Sequence, residues 1–247
     1  VSSSKNFGTR GCYTNKRKCN INDNNKDLIS IYKHVKKNHI KMIDMLEKLY
    51  KEYMKSKDKK EYYLKQRENF NKLKNKYNIE RAVLYIFINK TCYNGLMQFN
   101  KEDINSSGFG KLNNPNICDK KNIENLYKNL KENTIKKNED YISFLKNVKK
   151  NDFIYLDPPY VPDDIKQCSI KYSKNIWTNE DFEKLVKLCY DLDEKGCKFM
   201  LSNSNTKFMR QNFPKNKFNV KKINIARGLC PTSSLRQKED ELLIMNY

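Results

Sequence analysis

The side chains best suited to chemistry stand in one tetrapeptide, Asp157-Pro158-Pro159-Tyr160, directly after the apolar run at 153–156. Proline has no backbone N–H and a fixed φ, so the local carbonyls stay available as acceptors. The Asp157 carboxylate can accept one hydrogen bond from a planar amino group, and the Pro158 carbonyl can accept the other. Tyr160 offers a flat ring for stacking a base, worth roughly 1–3 kcal/mol. These residues predict catalysis on the exocyclic amino group of a nucleobase; the alternative is a rigid turn that Asp157 merely caps.

The surrounding sequence predicts a strand–helix–strand unit that would position this tetrapeptide. Residues 152–157 and 198–202 are predicted strands, and 178–195 is a predicted helix with Thr178 as N-cap and Gly196 as its stop. Such a unit implies that part of the sheet is parallel. Ligands of α/β sheets bind beyond the carboxyl ends of the strands, where Asp157 lies. Only a base extruded from a duplex could reach that position.

Further elements follow from periodicity and turn residues. Residues 27–77 are predicted to be helical, 94–116 to be a loop, 123–130 a helix, and 218–226 and 241–247 two strands of a hairpin with a long connection. The segment 81–89 is apolar all round, so it could be a buried helix or a buried strand.

The charge of the chain favours a polyanionic partner. Among 247 residues, 50 lysines and arginines against 29 aspartates and glutamates give a net charge of +21. A drift in coding composition toward Lys and Asn is the alternative. The lysines between 48 and 76 are expected to form a diffuse electrostatic footprint. The interleaved tyrosines are expected to pack between helices rather than stack on bases; they are Tyr50, Tyr53, Tyr62 and Tyr63.

Cysteines and apolar segments bound the remaining classes. The eight cysteines form no C-x-x-C pair, and His34 and His39 are the only histidines, so no metal site is expected and the thiols are expected to be reduced. No stretch approaches the roughly 18 apolar residues of a membrane span. We therefore expect no membrane partner and a cytoplasmic protein acting on a nucleoid or in a viral compartment.

Four blocks of the sequence resemble one known family. They are residues 89–96, 155–160, 201–203, and Arg236 with 241–243. Together they resemble the DNA adenine-N6 methyltransferases of the Dam type, which carry the Asp-Pro-Pro-Tyr motif. The resemblance runs over most of residues 6–247 and is weak in the lysine-rich middle.

The resemblance implies transfer of a methyl group from S-adenosylmethionine to adenine N6 in duplex DNA, with the base flipped into the tetrapeptide pocket. It also implies an α/β fold with a Rossmann-like, S-adenosylmethionine-dependent methyltransferase sheet. A mainly helical, basic target-recognition subdomain is expected at 35–130. The catalytic domain is expected at 1–34 and 131–247.

The resemblance also assigns residues to the cofactor. They are Phe7, Gly8, Gly11, Asp23, Asp140, Tyr141 and Asp157. Asp23 matches the acidic residue for the ribose hydroxyls, and a carboxylate can accept from two adjacent hydroxyls. The alternatives are a polar loop for Asp23 and a helix N-cap for Asp140. The glycine block departs from the family's Phe-x-Gly-x-Gly, and the strand expected before it is missing, so Val1 is not expected to begin the natural protein.

DNA-binding residues are expected in two loops. They are Tyr93, Asn94, Leu96, Gln98, Arg227, Arg236 and Lys238. Well-known members carry a guanine-reading arginine where this chain has Met97-Gln98, and glutamine pairs better with adenine. A target other than GATC is therefore predicted. Packing is the alternative for Tyr93 and Leu96, and a solvated face is the alternative for the charged residues after 226.

Three other functions remain open from the sequence. One is methylation of adenine in RNA, and another is methylation of cytosine N4, against which Asp157 argues because those enzymes more often have serine there. The third is a catalytically silent DNA-binding derivative, suggested by the irregular glycine block. A cognate restriction endonuclease and the choice between monomer and dimer also stay open.

Overall fold

A computed structural model describes residues 19–131, 134–135, 140–162, 170–172, 175–225 and 239–247. Contacts divide the chain into two compact units, Ser2–Phe144 and Leu145–Tyr247. Both helices and strands are present, so the fold is mixed α/β. The predicted domain boundaries at 34/35 and 130/131 stay a prediction.

The first unit is mainly helical. Its elements are β1 (Asn20–Ile21), α1 (Lys26–Lys55), α2 (Lys59–Lys72), α3 (Ile79–Thr91), a 3-10 turn (Tyr93–Gly95), α4 (Lys120–Leu130), β2 (Thr134–Ile135) and the start of α5 (Tyr141–Leu145). Strands β1 and β2 pair in parallel. Helices α1 to α4 each begin at an Asn or Asp whose side chain accepts hydrogen bonds from backbone N–H groups of the first turn.

The predicted helical region at 27–77 is two helices, and the lysine-rich run at 55–60 joins them. Asp58 accepts hydrogen bonds from the N–H groups of Lys60 and Glu61 and so starts α2. The predicted helical region is therefore interrupted at residues 56–58, which lie between α1 and α2. A local capping bond decided the structure there, which the spacing of apolar residues does not show.

Helix α3 settles the choice left open for 81–89. Every residue from Ala82 to Ile88 is buried, so the segment is apolar all round because it is a central helix. Helices α1 and α2 pack against it. Its Arg81 forms a two-point ion pair with Asp27 of α1, with N–O distances of 2.6 and 2.9 Å. Arg81 also donates to the Phe70 carbonyl of α2 over 3.0 Å, and thereby ties three helices together.

The second unit contains the main sheet. Its elements are β3 (Phe153–Leu156), β4 (Ile170–Tyr172), β5 (Asn175–Trp177), α6 (Asn179–Glu194), β6 (Lys198–Ser204), α7 (Lys207–Asn212), β7 (Asn219–Ile225) and β8 (Glu239–Met245). The sheet order is β3-β6-β8-β7, and β4 pairs with β5 separately. Strands β3 and β6 are parallel, which confirms the strand–helix–strand prediction. Strands β7 and β8 are antiparallel, which confirms the predicted hairpin.

The ends of α6 also match their prediction. The Asp181 carboxylate accepts from both the backbone N–H and the hydroxyl of Thr178, over 2.9 and 3.0 Å. These bonds close the first turn as a capping box does. Gly196 follows the helix at φ +75°, a conformation that glycine adopts without strain.

The two faces of the sheet differ. Residues paired across neighbouring strands share a face, and alternate residues along a strand change face. One face is buried; its members are Ile154, Phe199, Leu201, Leu242 and Ile244. Helix α6 packs against β6. The opposite face carries Tyr155, Ser202, Ser204 and Glu241, and we call it the site face.

Candidate active site

The tetrapeptide leaves the carboxyl end of β3 beside the end of β6. Leu156 pairs with Leu201, so the next residues along, Asp157 and Ser202, become neighbours. The Ser202 hydroxyl donates to Oδ1 of Asp157 over 2.8 Å. The Tyr155 hydroxyl donates to the Ser202 oxygen over 3.3 Å. Asp157 is exposed and Ser202 is buried, so a fixed hydroxyl orients a carboxylate that solvent can reach.

Two further residues of β6 fix the chain just after the prolines. Oδ1 of Asn203 accepts from the backbone N–H of Val161 over 2.8 Å, and its Nδ2 donates to the Pro159 carbonyl over 3.4 Å. The Ser204 hydroxyl donates to the Val161 carbonyl. Asn203 is fully buried, so these bonds form away from competing water. The path of the tetrapeptide is therefore set by β6.

Tyr160 is half-buried, and its hydroxyl is bonded to strand β8, which lies next to β6 in the sheet. It donates to Oε2 of Glu241 over 3.0 Å. Burial raises the pKa of Tyr160, the charges of Asp157 and Glu241 raise it further, and the Ser202 hydroxyl lowers it. The phenol is therefore neutral at ordinary pH and keeps the proton that it donates to Glu241.

Sequence reasoning assigned no role to Ser202, Asn203 or Glu241. Two of the blocks that carried the family resemblance contain these residues, at 201–203 and 241–243. The signal was in the topology: the end of β6 and the start of β8 had to meet at the edge where Asp157 lies. Strand register turns that edge into the specific contacts just described.

The predicted cofactor residues are only partly described. Phe7, Gly8 and Gly11 lie outside the described residues. Asp23 is exposed just beyond β1, and its Oδ1 accepts from the backbone N–H of Asn25 over 2.6 Å.

Asp140 stands at the start of α5. Its Oδ2 accepts from the Ser143 N–H over 3.1 Å. The N-cap geometry considered for Asp140 is therefore present. Tyr141, the first residue of α5, is partly exposed. The cofactor roles of both residues stay predictions.

The predicted DNA-facing residues on the 92–110 loop are at its surface. Tyr93 is 58% exposed and Leu96 is 37% exposed, so both side chains reach solvent, and their DNA-binding role stays a prediction. Gln98 is exposed as well. Asn94 has φ +54°, a left-handed conformation that turns the chain between Tyr93 and Leu96. Arg227, Arg236 and Lys238 lie outside the described residues.

The 92–110 loop is braced from within. The Tyr93 N–H donates to the Gly108 carbonyl over 2.8 Å, and the Gly110 N–H donates to the Thr91 carbonyl over 2.9 Å. A Cβ on Gly110 would lie 2.6 Å from the Cys92 carbonyl oxygen, so this close approach requires glycine. The base of the loop is closed at these points.

Side chains of helix α2 also hold the loop in place. The Tyr63 hydroxyl and the Arg67 guanidinium both donate to the Ser107 carbonyl, over 2.8 and 2.7 Å. The Ser107 hydroxyl in turn accepts from the Gln98 N–H over 2.8 Å. Met97 packs on the hydrophobic core while its neighbour Gln98 points outward. The loop thus presents exposed side chains on a fixed backbone.

The tyrosines of the basic region pack as predicted. Tyr53 and Tyr63 are fully buried, and the Tyr53 hydroxyl donates to the Leu112 carbonyl. The Tyr62 hydroxyl donates to Glu52 over 2.7 Å. Base stacking by Tyr53 or Tyr63 is thereby excluded.

Neither a metal site nor a membrane span is found in the part of the chain that the structure describes. No group of three or more His, Cys, Asp or Glu side chains there could hold a metal ion. Across the same residues, no helix is long and apolar enough to cross a membrane.

Comparison with known proteins identifies the class to which this fold and site belong. The chain belongs to the D12 class N6 adenine-specific DNA methyltransferases, whose family model matches residues 8–227. It is therefore a DNA-modifying enzyme of the adenine-N6 type.

Curated relatives agree with this assignment. The chain is 36% identical to the type II methyltransferase M.MjaIII of Methanocaldococcus jannaschii over 237 residues, covering 94% of this chain and 81% of that protein. It is 31% identical to the type II methyltransferase M1.LlaDCHI of Lactococcus lactis over 234 residues, covering 94% and 80%. It is 27% identical to the DNA adenine methylase of Escherichia coli K12 over 223 residues, covering 90% and 77%.

Proposed function

We propose that this enzyme methylates N6 of an adenine flipped out of duplex DNA, with S-adenosylmethionine as methyl donor and the tetrapeptide as the reaction site. The observation that carries the proposal is the exposed Asp157 carboxylate, which Ser202 holds at 2.8 Å beside the Pro-Pro-Tyr segment. A Rossmann-like sheet and an inserted recognition subdomain at 35–130 belong to the same proposal.

The proposed chemistry rests on two hydrogen-bond acceptors. Because Oδ1 of Asp157 accepts from Ser202, Oδ2 is the proposed acceptor for one N6–H of adenine. The Pro158 carbonyl is the proposed acceptor for the other. Both bonds localise the nitrogen lone pair, and Tyr160 stacks on the base. S-adenosylmethionine supplies the methyl group from a positively charged sulfur.

The methyl group moves from sulfur to N6 in one displacement. With S-adenosylmethionine bound, the N6–CH₃ bond would form as the S–CH₃ bond breaks, and the electron pair of the broken bond would stay on sulfur as a neutral thioether. The positive charge passes to N6, which then releases one proton toward the Asp157 side. An amine nucleophile needs no covalent enzyme intermediate.

Asp23 fits the cofactor role assigned by resemblance. Its carboxylate is exposed just beyond β1, and the Asn25 N–H fixes its orientation. A carboxylate in that setting can accept from the two ribose hydroxyls of S-adenosylmethionine. Asp140, Tyr141 and the residues of the glycine block are proposed to complete the cofactor site.

DNA is proposed to be read by the 92–110 loop and held by the basic charge of the chain. Tyr93, Asn94, Leu96 and Gln98 are the proposed loop contacts. Arg227, Arg236 and Lys238 are proposed to contact phosphates. The net charge of +21 supports both assignments, since neutralised phosphates release counterions. The cytoplasm is the proposed compartment, and a partner endonuclease and the oligomeric state stay open.

A methylation assay with tritiated S-adenosylmethionine on duplex DNA, followed by mapping of the modified base, tests the proposal. Asp157→Ala is expected to abolish methylation while duplex binding stays within about twofold. Asp152→Ala is the matched control, because Asp152 is an exposed carboxylate that directly precedes β3, whereas Asp157 directly follows it. Near wild-type methylation by Asp157→Ala would show that the assignment of Asp157 is wrong.

The same assay separates the remaining alternatives. An RNA substrate that outcompetes duplex DNA would contradict the proposed substrate. Calorimetry tests the silent alternative, because a silent DNA-binding derivative would bind no S-adenosylmethionine.

A further inference from the structure

Tyr160 and Glu241 form a contact between residues 81 positions apart in the sequence, on the site face of the sheet. The phenol of Tyr160 donates to Oε2 of Glu241 over 3.0 Å. A hydrogen bond to a carboxylate is in general stronger than one between neutral groups. The tetrapeptide is therefore tied to the sheet through its aromatic side chain as well as through its backbone.

The backbone of Glu241 is held by strands on both sides. It lies inside β8, where it is paired with Ser204 of β6 on one side and Ile223 of β7 on the other. Ser204 itself donates to the Val161 carbonyl, immediately after Tyr160. One cross-strand pair thus fixes both the backbone that follows Tyr160 and the hydroxyl of its ring.

We propose that Glu241 is a positioning residue for methyl transfer, which sets the orientation of the Tyr160 ring against which the flipped adenine stacks. The inference rests on the proposed function. Two side-chain torsions decide where a tyrosine ring lies, and a bond at the far end of the ring restricts both. Since the hydroxyl is bonded to Glu241, Tyr160 offers the base its face rather than a hydrogen bond.

The consequence falls on the chemical step. Adenine held at a different angle would still bind, but its N6 would be displaced from Asp157. Small displacements of reacting atoms cost large factors in rate. Loss of Glu241 should therefore lower kcat more than it raises KM for DNA.

The test is a double-mutant cycle in the full chain. Glu241→Ala is expected to lower kcat about tenfold, with KM for DNA and for S-adenosylmethionine within about twofold of wild type. Glu241→Gln keeps an acceptor without the charge and is expected to recover about threefold of that loss. Tyr160→Phe removes the donor and is expected to lose as much as Glu241→Ala. Adding Glu241→Ala to Tyr160→Phe is expected to cause no further loss.

Asp240→Ala is the matched control. Asp240 is the neighbouring acidic residue of β8, points to the other side of the strand and pairs with Lys222. It is expected to keep the wild-type kcat. Thermal unfolding of every variant checks that each is folded at the assay temperature.

Each remaining outcome has one meaning. An unchanged kcat in Glu241→Ala overturns the inference. An equal loss from Glu241→Ala with and without the Tyr160 hydroxyl also overturns it, because Glu241 would then act through another group. A wild-type enzyme that methylates no DNA contradicts the proposed function itself and is seen before any variant is compared.

Discussion

Ser202 lies between Tyr155 and Asp157 in a chain of three hydrogen-bonded groups. Its hydroxyl accepts from Tyr155 over 3.3 Å and donates to Oδ1 of Asp157 over 2.8 Å. A hydroxyl that is already accepting a bond is polarised as a donor. The Asp157 carboxylate, to which we assign the reaction, is therefore oriented by residues of β3 and β6 while it stays exposed.

Ser202→Ala is expected to lower kcat about tenfold, because Asp157 loses the bond that fixes its orientation. Tyr155→Phe is expected to have a smaller effect, since the Ser202–Asp157 bond remains. Steady-state kinetics on duplex DNA measures both. Ser56→Ala, in the junction between α1 and α2, is the control and should leave kcat unchanged. An active Ser202→Ala enzyme at wild-type rate would contradict the role given to this bond.

Asn203→Ala is expected to destabilise the protein as well as the site. The change leaves the N–H of Val161 without its partner, and a buried unsatisfied group costs about 1–3 kcal/mol. Urea denaturation should show a loss of about 2 kcal/mol in the free energy of unfolding. Asn205→Ala, two residues on and bonded to the exposed Arg210, should cost about 0.5 kcal/mol or less. Equal losses from the two variants would be inconsistent with this account.

Arg81→Met is expected to be among the most destabilising single changes. Removing one partner of a buried ion pair costs about 3–5 kcal/mol, because the Asp27 charge is left without compensation. The denaturation midpoint should fall accordingly. Lys72→Met removes an exposed ion pair with Glu68 and is expected to leave stability unchanged. A stable Arg81→Met protein would show that α1, α2 and α3 do not depend on this contact.

Gln98→Arg is expected to change the methylated sequence. The wild-type enzyme is predicted to prefer adenine at the base pair that Gln98 reads, and arginine should shift that preference to guanine by about tenfold or more. Sequencing of methylated adenines on mixed DNA gives both consensus sequences. Met97→Leu alters only the neighbouring side chain, which packs on the core, and should keep the wild-type target. A GATC consensus for the wild-type enzyme would refute the prediction.

Much of the second unit could be predicted from the sequence. Short apolar runs, the Thr178 cap and the Gly196 stop predict β3, α6 and β6, and the tetrapeptide marks the predicted reaction site by residue type alone. The identities of its partners could not be obtained in that way. Ser202 and Glu241 contact it across 45 and 81 residues, and such contacts depend on strand register.

The helical unit was harder to predict in detail. Helix α3 is apolar on every side, so its spacing carries no period that separates a helix from a strand. The junction at 55–60 was missed because lysines continue through it while Asp58 forms a local cap. Hydrophobic spacing therefore identifies neither the helix at 81–89 nor the junction at 55–60.

In the 92–110 loop, the residues that hold the backbone in place are not the residues that face the solvent. Gly110, Ser107 and Met97 hold the backbone, whereas Leu96 and Gln98 face outward. A substitution at an outward position leaves every brace intact, so it carries little risk of unfolding the protein. Under the proposed role of this loop in reading DNA, a single mutation at an outward position can therefore change the target sequence while the protein stays folded.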